Sequence, residues 1–116
     1  MTTAETSIRE SLLDILSFLA SVSEQREFAA KVRYDVYQDE IACWWFDDIY
    51  PDDALMRRIF SPSQLEALVA FSEVFDRVGT SLDGKVLTME QLQATEEWQR
   101  IVRSANEALD KIKSAA

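Results

Sequence analysis

The sequence predicts an all-α fold: a single-domain bundle of four longer helices, with room for one short helix, over residues 1–116. Three observations predict it. The 116 residues are 47% hydrophobic, which suits one compact core. Apolar residues recur at the three- and four-residue spacing of helices and not in the alternation of strands. Two glycines and two prolines rule out a collagen-like chain or a Gly/Pro-rich low-complexity one. The single cysteine cannot form an internal disulfide, which fits a reducing compartment.

The first two helices follow from an apolar stripe and a cap. The stripe near the start of the chain predicts a helix over residues 5–21. Ser21 and Glu24 have the spacing of a capping box and predict the start of a second helix. We expect that helix to continue through residues 32–37, where β-branched and aromatic residues would also suit a strand. Helix is preferred, because no Gly, Asn or Pro follows to turn a hairpin.

Caps and breakers divide the middle of the chain. Pro51 predicts a break, since the residue before a proline disfavours helical angles, and a short helix is expected over residues 54–60. Ser61 suits an N-cap and Pro62 the first helical position, so a longer helix is predicted to start there. Gly79 is expected to end that helix from the left-handed C′ position.

The last part of the chain predicts one turn and one long helix. Asp83 and Gly84 are typical turn residues. Thr88 and Gln91 have the capping-box spacing that Ser61 and Gln64 also show. From there, apolar residues keep a helical spacing as far as Ile112, which predicts a single final helix.

The charge balance narrows the class of partner. The chain has 21 acidic and 12 basic residues, a net charge of −9, and no histidine. Such a surface repels nucleic acid and anionic lipid and attracts basic proteins, so we expect neither a nucleic-acid nor a membrane partner. The absence of histidine removes the commonest general base and zinc ligand. With no secretion signal and no apolar run long enough for a membrane span, a cytoplasmic location is expected.

The excess negative charge is concentrated in residues 34–53. This segment has seven acids, no lysine or arginine, and six of the twelve aromatic residues, whereas the rest of the chain has 14 acids and 12 bases. Aromatic anchors ringed by like charge suit the binding of a basic protein surface. We expect Trp45 and Tyr50 to act as the anchors. The predicted partner-binding residues are Asp35, Asp39, Glu40, Trp45, Asp47, Asp48, Tyr50, Asp52 and Asp53.

The alternative is that the aromatic residues of this segment fill the core and its acids form a solvated helix face. Trp44 and Trp45 bear on this, because neighbours on a helix point about 100° apart. At least one of the two should therefore face outward or lie at a boundary.

No catalytic residue, cofactor or metal is expected. Acids on both sides of Pro51 suit Mg²⁺, but no phosphate-binding glycine loop accompanies them. Glu24 and Glu27 with Asp35 and Asp39 resemble the carboxylate ladders of nucleotide pyrophosphohydrolases, a spacing that is also common on exposed helices. Cys43 has no histidine to activate it and is expected to be buried. A magnesium-dependent nucleotide hydrolase is thus a minor alternative.

Three stretches carry a resemblance to a known family: CWWFDDIYP at residues 43–51, FSP at 60–62 and LVAF at 68–71. With its small size and acidity, the chain resembles the immunity proteins of bacterial polymorphic toxin systems, including contact-dependent growth inhibition. Residues 48–51 are also similar to the acidic Tyr-Pro segment with which nuclease-colicin immunity proteins bind their toxins. That group is shorter and places the segment differently, so no contact residue is transferred from it.

The resemblance implies a non-catalytic inhibitor that binds a basic toxin domain, often a nuclease, and blocks its active site. An acidic helical adaptor or an antitoxin-like regulator of another basic protein is the alternative. Exposed aromatic residues would allow the free chain to be a monomer or a weak homodimer.

Overall fold

Helices dominate the part of the chain that the computed structural model describes, residues 2–47 and 54–114. The predicted all-α class is confirmed. Seven α-helices lie in these residues, five of them with ten residues or more, so the predicted number of four longer helices is too low. They are α1 (Thr3–Leu19), α2 (Val22–Lys31), α3 (Tyr37–Phe46), α4 (Ala54–Ile59), α5 (Pro62–Gly79), α6 (Met89–Gln93) and α7 (Glu96–Ser114).

The core forms around α5 and α7, which make the most extensive helix–helix contact. α1 packs on α7 and also contacts α2, α3 and α4, so the apolar stripe of α1 is covered on several sides. The largest fully buried side chains are Trp45, Trp98 and Phe71. Truncating an aromatic residue at such a position typically costs about 3–5 kcal/mol. α3 is therefore anchored in the core through Trp45, and this fixes which of its faces meets solvent.

The predicted capped helix starts are confirmed, but the capping box predicted for Ser21 and Glu24 is formed only in its Ser21 half. The side chains of Ser21, Ser61 and Thr88 each accept a hydrogen bond from the backbone N–H three residues later. Gln64 and Gln91 return a bond to the N-cap backbone, which completes two reciprocal capping boxes. These bonds satisfy N–H groups that the first turn of a helix otherwise leaves unpaired.

The prediction that the second helix continues through residues 32–37 is wrong. α2 ends at Lys31, and Val32 is extended, with φ −127° and ψ 122°. Val36 forms a single parallel bridge with Leu87, so the strand alternative reduces to one isolated bridge. Tyr37 starts a separate helix, and its hydroxyl donates to the Val32 carbonyl oxygen at 3.2 Å. The β-branched residues of this segment suit an extended chain, and the bond from Tyr37 stabilises it.

The predicted final helix is interrupted after Gln93. Thr95 starts α7 as a new cap, because its Oγ1 accepts a hydrogen bond from the backbone N–H of Trp98 at 3.1 Å. The prediction of a left-handed conformation at Gly79 is wrong, because the φ of Gly79 is −64°. The chain continues from Gly79 into a 3₁₀ turn at Thr80–Leu82. Gly84 has the positive φ, 70°, that the predicted turn requires.

Candidate interaction surface

α3 has one buried face and one acidic face. Tyr37, Ile41 and Trp45, each four residues apart, are buried together with Gln38. The residues on the opposite side of the helix are all exposed, and they recur at spacings that place them on one face. The acidic face consists of Asp39, Glu40 and Asp47, with Cys43 between them.

The carboxylates of the acidic face form no ion pair with any residue that the structure describes. Within residues 2–47 and 54–114, the single ion pair joins Arg58 Nε to Glu5 Oε1 at 3.8 Å, away from α3. Asp39 and Glu40 lie in the first turn of α3, where the helix dipole favours negative charge and where the N-cap residue supplies no side-chain hydrogen bond. Asp47 is the C-cap residue, where the same dipole disfavours negative charge. Helix stability therefore accounts for the first two acids and not for Asp47.

Trp45 is not a surface anchor, which corrects the prediction. Its side chain has no exposed area, and its Nε1 donates to Ser72 Oγ at 2.8 Å. Its ring meets Phe71 edge-on, with the ring centroids 5.1 Å apart. Its neighbour Trp44 is half-buried beside the acidic face, and its ring packs 5.2 Å from that of Phe28, in line with the expectation that one tryptophan lies at a boundary.

The other predicted partner-binding residues are not all brought to this face. Asp35 is exposed, but it precedes α3 and lines a separate groove together with Arg26 and Arg33. Four predicted residues lie outside the described part of the chain: Asp48, Tyr50, Asp52 and Asp53. Three of the nine predicted residues thus form one surface in the described structure.

Cys43 is exposed, so the expectation that it is buried is wrong. It lies four residues after Asp39 and four before Asp47, and this spacing places it on the outward side of α3. As the single cysteine of the chain, it marks the centre of the acidic face.

A depression next to the acidic face was not predicted from the sequence. It has a volume of about 140 Å³ and lies between α3, the end of α5 and the start of α7. Its lining includes three acids, from α3, from α5 and from the turn after the 3₁₀ segment, and no lysine or arginine. Aromatic and aliphatic side chains contribute the apolar part. These acidic and aromatic lining residues are Asp39, Asp76, Asp83, Phe46, Phe75 and Trp98.

Gln38 also lines this depression and is 3% exposed. Its Nε2 donates to the carbonyl oxygens of Leu82 at 2.7 Å and Lys85 at 2.8 Å, which ties α3 to the loop after the 3₁₀ turn. Its Oε1 is buried and has no hydrogen-bond partner within the described residues. A lone glutamine in a first helical turn carries no sequence signal for such a role.

The other buried glutamines bond to backbone near helix ends. Gln25 has no exposed area and donates to the carbonyl oxygens of Phe18 and Leu19 near the end of α1. Its Oε1 accepts bonds from Trp98 Nε1 and Gln93 Nε2, both at 3.0 Å. These bonds join α1, α2, α6 and α7, and they show what a satisfied buried amide looks like in this fold.

Neither a metal centre nor a membrane span is found in the part of the chain that the structure describes. No three or more Cys, Asp or Glu side chains there are grouped as metal ligands. No helix within residues 2–47 and 54–114 has both the length and the apolar character needed to cross a bilayer. Comparison with protein-family models, with curated proteins and with solved structures finds no match to the chain.

Proposed function

We propose that the chain is a non-catalytic binding protein that neutralises a basic protein domain, with the acidic face of α3 as part of the contact surface. The observation that carries the proposal is that Asp39, Glu40 and Asp47 share one exposed face without an ion-pair partner within the described residues. Exposed carboxylates on one face attract a cationic partner during encounter and favour one orientation of it on the surface. Trp44 and Phe46, half-buried on either side of the face, supply apolar contact area in place of Trp45.

In this proposal the basic partner is a toxin domain, and the chain is its cytoplasmic immunity protein. Support comes from the resemblance carried by residues 43–51 and from the net charge of −9. Many toxin domains are nucleases, whose substrate-binding surface is basic because it receives phosphates. In this proposal Asp48, Tyr50, Asp52 and Asp53 extend the contact beyond Asp47, and the bound chain covers the toxin's active site.

The test is binding of the full chain to the toxin domain encoded beside its gene, measured by calorimetry at several salt concentrations. The triple variant D39N/E40Q/D47N should raise the dissociation constant about tenfold to a hundredfold and flatten its salt dependence. The matched control, E66Q/E107Q/D110N, removes the same charge from exposed positions on α5 and α7 and should change affinity much less. Equal effects of the two variants, or a complex indifferent to salt, would refute the electrostatic contact.

A further inference from the structure

The depression beside the acidic face combines carboxylates, an apolar lining and the absence of any lysine or arginine. Asp39, Asp76 and Asp83 bring carboxylates to it from three parts of the chain, and no base lines it. Phe46, Phe75 and other apolar side chains contribute the rest of its lining. Two other depressions in the described residues differ, because each has two arginines in its lining alongside its acids. The negative character of this depression is therefore a local property.

Gln38 supplies an independent observation that points to a ligand. The two bonds that its Nε2 donates, to Leu82 and Lys85, fix the orientation of the amide. Rotating the amide by half a turn would set its oxygen against two carbonyl oxygens, so Oε1 stays where it is. A buried acceptor without a donor is unfavourable, and native structures leave few of them. The partner that Oε1 lacks is a hydrogen-bond donor, and Gln38 itself belongs to the lining of this depression.

We propose that the depression receives the guanidinium group of an arginine from the basic partner. A guanidinium is cationic, carries five N–H donors in a plane and stacks on aromatic rings. These properties match the negative charge, the aromatic lining and the unpartnered acceptor of the depression. A lysine ammonium offers the charge but neither the planar fork nor the stacking.

The position of the depression connects it to the proposed contact surface. Asp39 belongs both to the acidic face and to the lining of the depression, so one partner can cover both. Assigning the guanidinium to a partner rests on the proposed function. The chemistry of the depression itself can be tested without any partner.

The test uses nuclear magnetic resonance of the full ¹⁵N-labelled chain titrated with Nα-acetyl-arginine methylamide. We expect saturable shifts of the Gln38 side-chain amide and of the backbone amides of Gly79 and Leu82. The citrulline analogue, which has the same shape without the charge, should produce no saturable shift, and the lysine analogue should bind several-fold more weakly. Equal responses to arginine and citrulline, equal binding of arginine and lysine, or no response to arginine would each overturn the proposal.

Two charge variants show where the ligand binds. D76N/D83N should weaken arginine binding about fivefold or more, since it removes two of the three carboxylates from the lining. E107Q/D110N, with the same change of charge on α7, should leave it unchanged. Equal weakening by both variants would mean that net charge alone attracts the probe, which would refute a defined site.

The two proposals can fail separately. If arginine does not bind while the toxin domain still responds to D39N/E40Q/D47N, the depression is not a guanidinium site and the proposed function stands. If arginine binds but no basic protein does, the site stands and the proposed function falls.

Discussion

Asp47 occupies the C-cap position of α3, where the unpaired carbonyl groups of the last helical turn concentrate negative charge. The change D47N removes a full charge there while keeping the size of the side chain. Because Asp47 is exposed and has no ion pair within the described residues, no favourable contact is known to be lost. We expect D47N to raise the free energy of unfolding of the free chain by about 0.3–1 kcal/mol. For a chain of this size, that corresponds to a rise in melting temperature of about 1–5 °C.

D39N is the matched control, because it makes the same change of charge on the same face at the other end of the helix. Asp39 lies in the first turn of α3, and Val36 before it gives no side-chain cap. The dipole favours the charge of Asp39, so D39N should lower the free energy of unfolding by about 0.3–1 kcal/mol. Both variants reduce the net charge by the same amount, so any general stabilisation from that reduction is common to them. The difference between their free energies of unfolding therefore reports the effect of the position in the helix.

The assay is urea unfolding of the wild type and both variants, followed by circular dichroism at low and at high ionic strength. The reasoning would be supported if the two variants change the free energy of unfolding in opposite directions at low salt, and if both changes become smaller as salt is added. Equal stabilisation by D47N and D39N would refute it, since net charge and not helix position would then control stability. Calorimetry with the toxin domain completes the experiment. Both variants should weaken the complex, so stability and affinity move in opposite directions only at Asp47.

Three further predictions test the core network, the acidic face and the backbone. Gln25→Leu should lower the free energy of unfolding by about 3–5 kcal/mol in urea titrations, because Trp98 Nε1 and other buried polar groups lose their partner. A decrease of less than about 1 kcal/mol would mean that this hydrogen-bond network does not stabilise the core. Cys43 should react freely with maleimide in the free chain and slowly in the toxin complex; equal rates would place the contact elsewhere. Gly84→Ala should lower the free energy of unfolding by about 1 kcal/mol, because the φ of Gly84 is 70°. Gly79→Ala should be neutral or stabilising, because Gly79 has a helical φ and an added Cβ would make ordinary contact with a neighbouring ring. Equal effects of the two variants in thermal melts would contradict the backbone argument.

Signals that lie within a few residues of each other are sufficient to predict three of the helix starts. The caps at Ser21, Ser61 and Thr88 each depend on a residue three positions away, and all three are formed. The break between α2 and α3 is different. Part of what holds it comes from Leu82, Lys85 and the bridge at Leu87, more than forty residues along the chain, and no local pattern contains that information.

The misplacement of Trp45 follows from the same break. A second helix that runs through residues 32–37 leaves no separate helix whose buried face could be the repeat of Tyr37, Ile41 and Trp45 at four-residue intervals. Once α3 is known to begin at Tyr37, that repeat predicts both the buried face and the acidic face. The depression, by contrast, could not be predicted, since Gln38, Asp76 and Asp83 meet only through tertiary packing.

Two unfavourable features of the free chain lie at the same helix. The first concerns Gln38, whose Oε1 is a buried acceptor without a hydrogen-bond partner within the described residues. The other three buried glutamines donate to backbone carbonyl oxygens and have no unpartnered buried atom within the described residues: Gln25, Gln64 and Gln93. On the same helix, Asp47 places negative charge at the end that disfavours it. A fold optimised only for its own stability would remove both, because each can be relieved by a small change. In the complex that we propose, a cationic partner with hydrogen-bond donors would relieve both at once, and the stability lost at α3 in the free chain would be recovered on binding.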